Sequence, residues 1–465
     1  MGLLDNLVVS AVAAVVEAYA VRALLPQHDL RSILYIAFGV NSSLCLAWAS
    51  FIYPVFVNPL RHLPRVGPVQ QGCAPRDEPP GAAGCHEHQH IYDVEKPWKV
   101  RNFLARVIGF GLILSEGPQH QRQRKAITPS FNIKIIRAAC RLMWEKTGIL
   151  LEEVGRISWP VLSRAPTPAM AWETLSRLTL DVIGAAAMGR DFQSLTHDRN
   201  QSQARDKIVF LALNLILPQW ISRRLPLKLS GVLDTETGFL RRVCGEIVQE
   251  KRLHASEQRL HEQRIDDQVL TFLAAGVGQP STMLDMRNLT LAQHETAASA
   301  LTWACYLFRL HQDVQRRLRE EIRSRIPSAA SSVTWNALES LPLLNGVCQE
   351  ALRLYPTVPT TIREAVRDTT VAGTRIPKGT HIVLCPYAIN RCPLLWGATG
   401  EPFMPERWID YGKNGEPTVN GHGGASTNYA QITFLHGQRS CIGGGVVGGR
   451  SFWGCWMYSG FMACV

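Results

Sequence analysis

The chain has 465 residues, 46% of them apolar and only 19% charged, with a formal net charge of +11. That leaves room for a sizeable core in one large domain or a few small ones, and it excludes a disordered, highly charged chain. The positive balance suits acidic partners, yet no basic run is interleaved with aromatics, so no nucleic-acid partner is expected. Twelve cysteines form no compact framework in so long a chain and read as reduced thiols facing the cytosol.

Two apolar stretches come first. Residues 7–20 carry Glu17 in their middle, whereas 33–57 run for 25 residues without a charge. About 20 apolar residues span a bilayer as a helix. The second stretch therefore reads as a transmembrane helix, with Trp48 and Tyr53 as interfacial anchors, inside a membrane anchor covering 1–60. A buried core helix is the competing reading, and the first stretch leaves one or two spans open. Stretch 33–57 is too long for the apolar region of a cleaved signal peptide. Arg22 and Arg31 precede it and Arg61 and Arg65 follow, so flanking charge leaves the orientation undecided.

Residues 61–92 read as a linker: Gly, Pro and polar residues dominate and no periodicity shows. Cys73, Cys85, His86, His88 and His90 lie there, but they lack the second ligand pair that a zinc site needs. From 101 onward helical periodicity prevails, over 168–187, 205–217, 236–254, 291–325 and 336–354. Residues 207–221 are apolar nearly all round, which suits a buried or lipid-facing helix at the entrance for an apolar substrate. Residues 362–385 carry β-branched residues and turn signals and read as short strands. No Gly-rich loop follows a strand, so neither a dinucleotide fold nor a P-loop is supported.

The sharpest signal is FLHGQRSCIG at 434–443, with Phe434, Gly437, Arg439, Cys441 and Gly443 in fixed spacing. A thiolate that ligates iron needs backbone N–H donors about its sulfur. Glycines let the backbone approach a flat macrocycle, and an arginine fork pairs with a carboxylate. On these residues the chain resembles the cytochrome P-450 family of haem-thiolate monooxygenases. Glu350 and Arg353 match that family's E-x-x-R, and their i, i+3 spacing places both on one helix face. Pro405-Glu406-Arg407-Trp408 matches a further family element, and the resemblance implies a buried structural triad of Glu350, Arg353 and Arg407.

The resemblance also implies that His120 and Arg124, within 116–125, bind a haem propionate, as does Arg363. A solvated basic face is the other reading of 116–125. Trp172 to Phe192 is similar to a helix of fungal members. Glu295 and Thr296 match the second half of the family's oxygen-activating A-G-x-[DE]-T, where acid and hydroxyl relay protons. The first half, Ala274-Ala275-Gly276, lies earlier, separated by 277–293. That segment reads as an insertion or a retained intron. Pro280, with Gly276 and Gly278, is expected to break the helix, and Thr290 to cap a restart.

The tail 444–465 holds six glycines in 22 residues, so no stable helix is expected there and the family's terminal strands are missing. Residues 66–92 look shortened against the family. The implied fold is mostly α with a minor β region, an N-terminal membrane helix and a haem domain over 93–465. The implied reaction inserts one oxygen atom from O2 into a lipophilic secondary metabolite, a terpenoid or polyketide. Cys441 is then the axial haem ligand. Electrons come from NADPH through NADPH-cytochrome P-450 reductase, at an endoplasmic reticulum membrane with the domain facing the cytosol. Two other readings stay open: a haem-thiolate isomerase or dehydratase, and a non-catalytic membrane-anchored remnant.

Overall fold

The computed structural model describes residues 29–47, 93–108, 110–131, 133–156, 168–188, 190–196, 279–326, 334–371 and 374–445, with a few isolated positions. The chain divides into two compact units, 1–68 with 212–225 and the remainder.

In the first unit, α1 (Leu30–Ala47) is the described helix. It does not meet the expectation of a span over 33–57: among the described residues no helix is long and apolar enough to cross a membrane. Arg31 stands in its first turn and Asn41, Ser42 and Ser43 interrupt its apolar run. Residues 48–57 lie outside the described residues, as does nearly all of 7–20.

The second unit is helical, and its helices cover the expected stretches 168–187, 291–325 and 336–354, while 205–217 and most of 236–254 lie outside the described residues. Its helices are α2 (Trp98–Ile108), α3 (Gly117–Ile127), α4 (Ile133–Arg156), α5 (Pro168–Met188), α6 (Gln279–Leu310), α7 (Gln312–Arg325), α8 (Trp335–Glu339) and α9 (Pro342–Leu354). Several start on a proline, which is pre-set for a first turn whose N–H has no partner. Helix α3 opens on Gly117 in the left-handed region with Pro118 behind it, and α9 opens on Pro342. Glu321 of α7 accepts the free N–H groups of Leu343 and Leu344 at 2.9 and 3.0 Å, which caps α9 from a neighbouring helix.

Every residue of α9 is buried. Around it the core joins Leu178 and Val182 of α5, Ala298, Leu301 and Ala304 of α6, and Leu318 of α7. The alanines of α6 let its backbone lie close against its neighbours.

Helix α6 overturns one expectation. It runs unbroken from Gln279 to Leu310, so 279–293 belongs to the helix that carries Glu295 and Thr296, and no restart occurs at Thr290. Gly276 and Gly278 lie outside the described residues, as do the apolar stretch 207–221 and the linker 61–92 with its Cys–His cluster.

Strand β1 (Val94–Glu95) lies outside the run read as strands, whereas β2 (Thr361–Ala365), β3 (Thr369–Val371), β4 (Thr374–Ile376) and β5 (His381–Leu384) appear where the β-branched run predicts them. The first sheet is antiparallel, ordered β1-β2-β5, with Glu95 opposite Glu364 and Arg363 opposite Ile382. Strands β3 and β4 form a hairpin, as do β6 (Ile409–Tyr411) and β7 (Pro417–Val419). The tail shows one helical turn at 442–445, and 446–465 lie outside the described residues.

Candidate functional site

The site is built on the loop from Ile432 to Gly444. Cys441 N–H donates to the Phe434 carbonyl at 2.8 Å, and Leu435 N–H to Ile432 at 2.9 Å. Ser440 N–H donates to Gly437 and Gly444 N–H to Cys441, each at 3.1 Å. The loop turns back on two left-handed residues, Leu435 at φ 58° and Gly437 at φ 71°. Glycine adopts that geometry without strain, whereas leucine at that φ is held there by its surroundings.

Phe434 packs against the main core. A Cβ on Gly444 would stand 2.8 Å from the Phe434 Cβ, so this glycine is sterically required. Gly443 is different: a Cβ there would lie 3.9 Å from the Cys441 Sγ, an ordinary contact.

Cys441 is a free and exposed thiol, while Cys348 is buried and its thiol is pushed up strongly by burial. Exposure beside positive charge is what makes a thiol available as a ligand. The positive charge comes from four elements. From α3, Arg124 donates Nη1 to the Ser440 carbonyl at 2.7 Å and Nη2 to the Ser440 Oγ at 3.2 Å. Burial lowers its pKa, the Cys441 sulfur works against that, and Arg439 reinforces it.

Arg439 donates Nη1 to the Ser115 carbonyl at 2.9 Å and pairs through Nη2 with Glu116. Arg363, buried on β2, donates to Thr361 Oγ1 and to the Ile362 carbonyl, each at 2.9 Å. His120 is buried, and burial followed by the charges of Arg439, Arg124 and Lys96 lowers its pKa to about 4. Its imidazole is therefore neutral at pH 7.

The structure thus brings together His120, Arg124, Arg363, Arg439 and Cys441, from sequence positions more than 300 residues apart. It adds two residues that the motifs did not show. Glu116 accepts from Arg439 and, at 3.1 Å, from the Lys96 N–H. The Lys96 Nζ donates to the Ile113 carbonyl at 2.6 Å. Burial and then Arg363 lower the Lys96 pKa to about 8, with Glu116 opposing and Arg439 and Arg101 assisting. Glu116 had a local signal, since it heads the singled-out stretch 116–125. Lys96 had none.

Lys96 and Arg439 therefore share one carboxylate, Glu116, with the cations Arg124 and Arg363 in the same cluster, next to an exposed thiol. That donor set fits a haem: a soft sulfur for iron and surplus positive charge for two carboxylates.

Behind the loop lies the E-x-x-R network. Glu350 and Arg353 are both 0% exposed, and Arg353 meets the carboxylate with Nε and Nη2 at 2.8 Å each. Arg407 Nε donates to Glu350 Oε1 at 3.0 Å, which completes the implied triad. Two further donors were missed: Trp408 Nε1 and the Met404 N–H, both at 3.0 Å. Asn390 links this network to the loop. Its amide donates to the Arg353 carbonyl and to Thr433 Oγ1, and it accepts the Ile432 N–H.

Glu295 and Thr296 stand on α6, on none of the elements that form the cationic cluster. Glu295 is exposed and Thr296 half-buried, next to the buried Ala297 and Ala298. Among the described residues no cluster of His, Cys, Asp and Glu is placed to hold a metal ion.

Comparison with known proteins agrees with this arrangement. The cytochrome P-450 family model matches residues 81–446, closing within the glycine-rich tail. Cytochrome P-450 monooxygenase sphH of Aspergillus fumigatus is 34% identical over 76% of this chain and 66% of its own length. The monooxygenase FUM15 of Gibberella moniliformis is 32% identical over 76% and 67%. The monooxygenase buaD of Petromyces alliaceus is 30% identical over 85% and 80%.

The chain belongs to the cytochrome P-450 family, a family of haem-thiolate iron proteins with a cysteine axial ligand. It is an oxidoreductase of the monooxygenase class named by these relatives, and spans about two thirds of the length of the first two. Such monooxygenases generally take electrons from a redox partner and act on hydrophobic substrates.

Proposed function

We propose that the chain inserts one oxygen atom from O2 into a lipophilic secondary metabolite of terpenoid or polyketide type. One observation carries this reading: an exposed Cys441 thiol beside a buried surplus of cations. In it, Cys441 would ligate the iron, and Arg439, Arg363, Arg124 and His120 would hold the carboxylates. Phe434 and Gly437 shape the loop, and Gly443 would leave room for the ring beside it. The haem supplies the oxygen chemistry when bound.

The chain's own residues supply position and protons. Arg124 grips Ser440 at two atoms and so fixes the residue before the ligand. Glu350, Arg353 and Arg407 hold the floor beneath the loop rigid. The Thr296 hydroxyl and the Glu295 carboxylate would hold and relay protons. Unbroken α6 supports this assignment, because Glu295 and Thr296 then stand on a continuous helix.

NADPH-cytochrome P-450 reductase supplies the electrons at the cytosolic face of the endoplasmic reticulum. The net charge of +11 suits docking of an acidic reductase, and electron transfer should weaken with salt. The uncharged run 33–57, with Tyr35, Ile36 and Val40 exposed on α1, suits attachment to the membrane.

The deciding experiment is a reduced carbon monoxide difference spectrum of the full chain. A thiolate-type Soret band that Cys441→Ser abolishes supports the reading. A well-expressed chain without that band overturns it. Turnover that needs no NADPH would mark an isomerase or dehydratase instead.

A further inference from the structure

A helix leaves its last carbonyls without intrahelical donors. At the end of α9 two of them are taken by side chains from elsewhere in the chain. Thr433 Oγ1 donates to the Leu352 carbonyl at 2.9 Å, and Asn390 Nδ2 to the Arg353 carbonyl at 3.1 Å. Asn390 follows the helical turn Pro386–Ile389 and is 0% exposed. A side-chain amide offers two donors and an acceptor on a short stem. Here Nδ2 also donates to Thr433 Oγ1, and Oδ1 accepts the Ile432 N–H, both at 2.9 Å. The Asn390 carbonyl in turn accepts Arg353 Nη1 at 2.7 Å, so the two residues bond to each other in both directions.

These bonds end where the Cys441 loop begins. The Ile432 carbonyl accepts the Leu435 N–H, and the Phe434 carbonyl accepts the Cys441 N–H, so the loop is built up from the residue that Asn390 grips. Arg124 and Arg439 hold its far side, at Ser440 and through Ser115 and Glu116. The near side is held to α9 by Asn390 and Thr433.

We infer that Asn390 is a positioning residue for the reaction: it seats the entrance of the Cys441 loop on the end of α9 and so sets where the sulfur stands. This rests on the haem-thiolate reading above. The triad of Glu350, Arg353 and Arg407 fixes α9, and Asn390 passes that fixed position on to the ligand loop.

The test compares the full chain with Asn390→Ala, Asn390→Asp and Glu321→Ala, all loaded with haem. Glu321 caps the opposite end of α9 and serves as control. Two quantities are read: amide hydrogen exchange at Ile432 and Cys441 relative to Val347 within α9, and the lifetime of the thiolate-type Soret band of the reduced carbon monoxide complex. Asn390→Ala should speed the relative exchange about tenfold, equivalent to about 1.4 kcal/mol, the scale of one buried hydrogen bond. It should shorten the band lifetime by a similar factor. Asn390→Asp is the milder variant, since it keeps the volume and the acceptor for Ile432. It turns an oxygen towards the Arg353 carbonyl and Thr433 Oγ1, so it should lose lifetime in the same sense. Glu321→Ala should leave the lifetime unchanged.

Equal acceleration at all three amides, or an unchanged lifetime in Asn390→Ala, would assign Asn390 a purely structural role and overturn the inference while the haem reading stands. A wild-type lifetime in Asn390→Asp would overturn it too. A wild-type chain that takes up haem without a thiolate-type band defeats the Cys441 assignment, and the inference with it.

Discussion

Replacing Glu350 by Gln should destabilise the chain severely, although the side chains have nearly the same volume. Glu350 accepts five donors: Arg353 Nε and Nη2, Arg407 Nε, Trp408 Nε1 and the Met404 N–H. Glutamine keeps one oxygen but turns an N–H2 group towards donors, and it removes the charge opposite a fully buried guanidinium. Removing one partner of a buried ion pair typically costs about 3–5 kcal/mol.

Arg353 keeps some compensation. Its Nη1 donates to the Asn390 and Gly400 carbonyls at 2.7 and 2.6 Å, and it lies 4.7 Å from the Trp396 ring centroid. The loss should therefore fall near the lower end, about 3 kcal/mol, against a total of about 5–15 kcal/mol for a typical domain. The assay is the urea midpoint followed by tryptophan fluorescence. Glu320→Gln serves as control, because its pair with Arg316 at 3.0 Å is exposed on both sides and worth well under about 1 kcal/mol. A Glu350→Gln midpoint equal to that of Glu320→Gln would refute the reasoning.

Three further outcomes follow from the packing and the charges. Gly346→Ala would place a Cβ 2.5 Å from the Pro405 carbonyl oxygen, so urea denaturation should show a loss of about 1–3 kcal/mol as α9 and the Arg407 turn are forced apart. Glu321→Ala uncaps two N–H groups of α9 and should cost about 1–2 kcal/mol in the same measurement, whereas Glu320→Ala on the same helix should cost little. His120 binds its proton near pH 4 when folded and near 6.5 when unfolded, so acidification through that window favours unfolding while higher pH leaves the residue silent. His120→Gln should flatten the stability slope between those limits by up to one proton, and an unchanged slope would contradict the neutral imidazole.

Much of the site was legible because its motifs are local. The Cys441 loop closes over a few residues, from Phe434 to Gly444, and the Glu350–Arg353 pair needs only one helical turn. The strands at 361–384 and the helices α5 and α9 were legible from side-chain periodicity alone. The restart at Thr290 was not, because the described helix runs through that position without a break. Of the run 33–57, which carries no charge, only 33–47 is described, and within it Asn41, Ser42 and Ser43 divide the apolar residues of α1.

By itself the sequence determined the family and the sulfur: a spaced set of glycines, an arginine and a cysteine is a contiguous pattern, and its chemistry follows from the residue types. Only the tertiary structure decided which charges meet at that sulfur. Lys96 reaches Arg363 through strand register, Arg439 meets Glu116 across 323 residues, and Asn390 ties Arg353 to Thr433. Those meetings depend on how separate elements pack, and nothing in the local order of residues carries them.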